Sequence, residues 1–246
     1  MKRVERHKLK ENEFARTLAH ARDVVEQRRR DIATAAVVVI VLLAVVGGYA
    51  WWRYARNAKA NGSLATALAT YAAPVVPPAP PAPGSPPPVP QPGTFGSELA
   101  KLEAALPKFL ETANTYPSTT AGITARYHVA SILAALGRHA EAEQRYSEVV
   151  EKGGNTIYGR TAKLGLAEVQ IAQGKLDNAI NVLTELSRDT NSQIPVDGVL
   201  MHLGRAYARA GKKEDAARAF NRIIDEFPQS LYAADAKREI EEVKKS

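Results

Sequence analysis

Five histidines and a scatter of carboxylates are the residues of this sequence equipped for acid–base or metal chemistry. His7, His20, His128, His139 and His202 never stand three or four residues apart, so no helix face offers a pair of imidazoles to a metal ion. The acidic pairs Glu141/Glu143 and Glu241/Glu242 fall on faces expected to be solvated, which disfavours a catalytic dyad. No Gly-rich phosphate loop, H-E-x-x-H, G-x-S-x-G or EF-hand string occurs. The chain has no cysteine, which excludes a disulfide framework, a thiolate metal site, a cysteine nucleophile and a lipidated cysteine. The expectation is a protein without catalytic, cofactor or metal residues. His128 and His202 are then packing or groove residues on helices.

The elements that carry these residues are set by charge and apolar patterning. The formal charge is +7 over 246 residues. Residues 1–31 hold ten Lys/Arg against six Asp/Glu, residues 32–96 hold only Arg53, Arg56 and Lys59, and residues 97–246 balance at twenty of each. A neutral C-terminal part argues against a basic nucleic-acid face there.

Residues 32–52, IATAAVVVIVLLAVVGGYAWW, form a charge-free run of 21 residues. At about 1.5 Å per residue a helix of this length spans roughly 30 Å, the hydrocarbon thickness of a bilayer. Trp51 and Trp52 with Arg53 at one end, and Arg28, Arg29 and Arg30 at the other, read as membrane-interface residues. A cleaved signal peptide fits poorly, because 31 residues precede the run and bulky residues follow it. Ten Lys/Arg before the span and only three in the forty-odd residues after it predict a cytoplasmic N-terminus and an external C-terminal part, which for a bacterial inner-membrane protein is the periplasm. Within the cytosolic segment 1–31, Phe14, Leu18, Ala21 and Val25 recur at helical spacing, so residues 11–30 are compatible with an amphipathic helix.

Beyond a helical segment at 53–73 lies a Pro-rich stretch, 74–96, in which Pro74–Pro92 contains 11 of the 15 prolines. Such a run favours extended, polyproline-like backbone. Residues 97–246 repeat themselves. Gly137, Gly174 and Gly211 are 37 residues apart, as are Ala142, Ala179 and Ala216; Tyr146, Leu183 and Phe220; Val149, Leu186 and Ile223; and the small row Ala130, Ala167 and Gly204. Each glycine follows an apolar-periodic run and precedes a polar one, as the residue after a helix end does. The predicted unit is a helical hairpin. Counting back another 37 residues gives Ala105 and Phe109, a second helix whose first helix is best supplied by residues 63–73. The Pro-rich stretch is then read as an insertion within the first repeat in preference to a plain linker. Leu231, Ala234, Ile240 and Val243 among charged residues predict a terminal capping helix.

In the last copy, Leu203, Gly204, Tyr207, Ala216, Phe220 and Pro228 fall on the L-G-x2-Y…A-x3-F…P pattern. That copy resembles a tetratricopeptide repeat. The earlier copies match more loosely, with Gln170 and Leu133 at the aromatic position. The resemblance implies an all-α solenoid of helical hairpins behind one transmembrane helix, with a concave face built from the first helices. It places Tyr127, Ser131, Leu164, Glu168, Met201, Arg205 and Arg209 on that face as partner-binding residues. The Lys/Asn clamp that some family members use for carboxylates is missing at the matching positions.

The whole arrangement of short cytosolic segment, single membrane helix and external repeat domain is similar to the YfgM-type family. That resemblance implies an ancillary subunit of the Sec translocon that links it to periplasmic chaperones. Its partners would be proteins or peptides, translocon subunits and a chaperone among them, together with the membrane and without nucleic acid. The alternative reading is a scaffold for cell division or outer-membrane assembly.

Overall fold

The structure, a computed structural model, describes residues 29–77, 91–189 and 193–245. The chain divides into two compact units, Met1–Ala55 and Arg56–Ser246. One helix, α1 (Arg29–Tyr71), contributes residues to both, and no helix end separates residues 52 and 53. Among the described residues, the rest is helical hairpins, turns and one isolated bridge.

In the first unit α1 is apolar on every side. Val37, Leu43 and Trp51 are each more than half exposed. By length and composition the helix suffices to cross a membrane. Trp51, Trp52 and Arg53 are exposed, and the Tyr49 and Trp52 rings lie 6.1 Å apart. Arg29 and Arg30 open the helix. Arg28 and the predicted amphipathic helix fall outside the described residues.

The second unit stacks α2 (Glu98–Thr115), α3 (Thr120–Ala135), α4 (His139–Gly153), α5 (Ile157–Ala172), α6 (Leu176–Arg188), α7 (Val196–Arg209), α8 (Lys213–Glu226) and α9 (Ala233–Lys245). From α2 onward each helix packs on the next. The first helices of successive hairpins also touch, α3 on α5 and α5 on α7.

The hairpin turns follow from the glycine row. Gly137, Gly174 and Gly211 have φ of 74°, 76° and 71°, the left-handed region that a β-carbon disfavours. Each turn repeats one hydrogen-bond pattern. Arg138 N donates to Leu133 O, Lys175 N to Gln170 O and Lys212 N to Tyr207 O, which satisfies carbonyls left open by the helix end. At the opposite ends, Thr119 and Thr156 cap α3 and α5 by accepting from Gly122 N and Gly159 N.

Residues 56–71 of α1 lie against α2. Ser63 and Thr112 share a hydrogen bond of 2.6 Å, and Lys108 Nζ donates to Thr70 Oγ1 at 2.7 Å. Tyr71 meets Phe109 edge-on at 6.1 Å, and Ala60 and Ala67 are fully buried. Just beyond Tyr71, Val75 forms a parallel bridge with Phe95. Val76 N donates to Phe95 O, and Phe95 N donates to Pro74 O. The chain on either side of residues 78–90 is therefore joined at its base.

The core forms two clusters, one around Phe109, Val129 and Tyr146 and one around Leu183, Leu200 and Phe220. Helix α5 contributes to both, Ala162 and Val169 to the first and Ala167 to the second. The predicted capping helix requires a correction. Helix α9 begins only at Ala233, so its buried stripe is Ala236, Ile240 and Val243 at i, i+4 and i+7. Leu231 lies in the preceding turn, 96% exposed, and Ala234 points outward.

Candidate functional site: the face of the first helices

The first helices α3, α5 and α7, followed by α9, place the expected contact residues in two neighbourhoods. Tyr127 of α3 is half-buried, with ring neighbours His128 at 5.7 Å, Tyr146 at 5.9 Å and Tyr158 at 6.3 Å. Burial pushes its hydroxyl pKa up, and the nearby Glu168 carboxylate adds to the shift. Ser131, one turn on, lies near the Tyr146 hydroxyl and offsets part of the upward pKa shift that burial gives it. His128 stacks on Phe109 at 4.8 Å, and burial holds it below the ordinary imidazole value. This end of the face is aromatic.

The other end is charged. Glu168 of α5 is exposed and lies 3.4 Å from His202 Nε2 of α7. Arg205 Nε donates to Glu239 Oε1 of α9 at 2.6 Å. Ile171, His202, Arg205, Ala208, Arg209 and Glu239 line a cavity of about 360 Å³. Leu164 is half-buried against the second core cluster.

Met201 does not belong to this face. It is 1% exposed inside the second core cluster. It packs there with residues of α6, α8 and α9 as well as of its own helix. The reading of Met201 as a partner-binding residue is corrected accordingly.

Four groove residues escaped the projection from the repeat pattern: Ile171, His202, Ala208 and Glu239. The signal for Glu239 lies in the period. His128, Gly165, His202 and Glu239 are 37 residues apart, a row that continues into the capping helix. Glu143 also differs from its expected place on a solvated face. It is half-buried and accepts from Gln170 Nε2, Gln173 Nε2 and Lys175 Nζ at 3.3, 2.9 and 2.5 Å, which ties the second hairpin to the third. Those donors hold its carboxyl below the ordinary value, Lys175 most of all.

A second cavity, of about 320 Å³, lies beside α5 and α6. Four of its five charges pair with one another, Lys163 with Glu185 at 2.6 Å and Arg160 with Asp189 at 3.3 Å; the fifth is Arg188.

No curated protein matches the sequence. Among solved structures, a tetratricopeptide repeat protein from Parabacteroides merdae superposes with a TM-score of 0.50 and 16% identity, covering 58% of this chain and 54% of that one. The nearly identical TPR-like repeats of a Podosopora anserina protein give 0.49 at 14% identity, with 58% and 85% covered. YrrB, a TPR protein with an unusual peptide-binding site, gives 0.46 at 17% identity, with 58% and 68% covered. At such identities the Parabacteroides likeness shows the fold alone. The profile of the family described as "Tetratricopeptide repeat-like domain" matches residues 30–238, well over half of the sequence. The chain belongs to the tetratricopeptide repeat-like domain family.

Proposed function

We propose that this protein is a membrane-anchored scaffold that holds a protein or peptide partner on the face of its first helices. The single observation that carries this reading is the groove where α5, α7 and α9 bring polar side chains around an apolar floor of Ile171 and Ala208. Tyr127, Ser131, Leu164, Glu168, Arg205 and Arg209 are the contact residues. Ser131 acts beside the Tyr146 hydroxyl.

Residues 32–52 anchor the chain in the cytoplasmic membrane, with the N-terminus in the cytoplasm and the repeats in the periplasm. The apolar, exposed character of α1 and the Lys/Arg asymmetry support this placement. Residues 74–96 are an insertion between the two helices of the first hairpin, a reading supported by the Tyr71–Phe109 contact on one side and the Val75–Phe95 bridge at its base. Similarity in arrangement to the YfgM-type family points to a role ancillary to the Sec translocon and periplasmic chaperones.

Co-purification in mild detergent, followed by mass spectrometry, tests the reading. Translocon or periplasmic chaperone subunits are expected with the full chain. Their absence overturns the assignment to that machinery.

A further inference from the structure

We propose that the groove between α5, α7 and α9 selects an acidic peptide segment, with Arg209 and Arg205 receiving its carboxylate and Glu239 acting as the internal carboxylate that it displaces. This rests on the reading of the first-helix face as a partner-binding surface and names the chemistry of the partner.

Three basic groups line the groove from one face of α7, at positions 202, 205 and 209. Two are already answered by acids of the chain itself. His202 faces Glu168 at 3.4 Å, and Arg205 donates to Glu239 at 2.6 Å. Arg209 has no acidic partner among the described residues. An exposed guanidinium at the wall of an apolar-floored groove is suited to a carboxylate, because its planar fork binds both oxygens.

Glu239 shows that the site accepts such a group, since its carboxylate already sits against Arg205 within the same cavity. The Arg205 side chain is half exposed, so the pair is weakly held and open to exchange. An incoming acidic side chain therefore meets one free guanidinium and one whose partner can be replaced. Ile171 and Ala208 supply the apolar contact beside it. Glu239 also repels a competing carboxylate, which sets a threshold of charge for entry.

The test uses the full chain in detergent micelles and two fluorescein-labelled, C-terminally amidated peptides, Gly-Leu-Pro-Leu-Glu-Glu-Glu-Leu-Gly and the same sequence with three Gln. Fluorescence anisotropy is expected to show the Glu peptide binding at least tenfold more tightly than the Gln peptide. Arg209→Ala removes that preference and Arg209→Lys restores part of it. Glu239→Gln tightens the Glu peptide severalfold, the opposite of what loss of a merely structural ion pair would give. Equal binding of both peptides, binding of neither, or unchanged or weaker binding in Glu239→Gln overturns the inference. Photo-crosslinking in cells from a reactive residue in place of Glu168 separates the two levels. A crosslinked partner indifferent to Arg209→Ala preserves the scaffold reading and overturns the acidic selection, whereas absence of any crosslinked partner overturns the scaffold reading itself.

Discussion

The ring of Phe220 occupies the space that a side chain at Gly204 would need: a β-carbon there would come within 2.4 Å of Phe220 Cε1. Both residues sit in the 37-residue rows, and the corresponding pair one repeat earlier is Ala167 with Leu183. A larger ring on α8 is thus matched by a missing methyl on α7. Gly204→Ala should lower stability by about 1–3 kcal/mol through overpacking. Urea denaturation checks it. Adding Phe220→Leu should recover part of the loss, since it recreates the Ala/Leu combination of the third hairpin.

The first hairpin should survive cutting of its connection. With a site-specific protease sequence in place of residues 82–87, cleavage should leave the fragment containing 56–77 bound to the fragment beginning near residue 91. The Tyr71–Phe109 contact and the buried Ala60 and Ala67 hold it there. Size-exclusion chromatography of the cut protein shows one peak if so, and separation of the fragments contradicts the insertion reading. Phe109→Ala, costing about 3–5 kcal/mol, should promote that separation.

Acid should act through two groups of opposite charge type. The His128 imidazole is depressed by burial, so it is neutral in the folded protein. The unfolded imidazole takes up its proton first, near pH ~6.5, and stability falls from there until the folded group titrates. Glu143 is a carboxyl held low by Lys175, Gln173 and Gln170. Its contribution is complete above the unfolded carboxyl value of about 4.3 and is lost as pH falls through the lower folded value. His128→Gln should flatten the upper part of the acid limb of the urea midpoint, and Glu143→Gln the lower part.

Topology can be read directly because the chain has no cysteine. Ser97→Cys should react in intact cells with a maleimide that crosses the outer but not the cytoplasmic membrane. Thr17→Cys should react only after the cells are opened. The reverse pattern contradicts the proposed orientation.

Much of the fold was legible because a repeat writes its contacts into its period. The rows at 137, 142, 146 and 149 and their copies gave the turns and the buried stripe of the second helices, and the structure puts all three glycines at positive φ. Two kinds of feature were not legible. Met201 matches an outward position of the repeat pattern, yet it is buried in the second core cluster, which draws on several helices. Glu143 looked like one more solvated acid, because its partners on α5 and at the start of α6 come close only after successive hairpins have stacked. Spacing fixes neighbours along a helix, whereas the pitch between hairpins decides contacts across them. The groove shares this limit: Glu239 reaches Arg205 from a helix that is not itself part of a complete hairpin.

The bridge between Val75 and Phe95 also bears on how freely the first hairpin can vary. Once the two ends of a segment are pinned side by side, extra length between them raises the entropy cost of closure only logarithmically, about 0.6 kcal/mol for each doubling. Residues 78–90 can therefore be lengthened, shortened or rewritten with little penalty to the helices they connect. The protein carries a position where a new sequence can be tried without renegotiating its core.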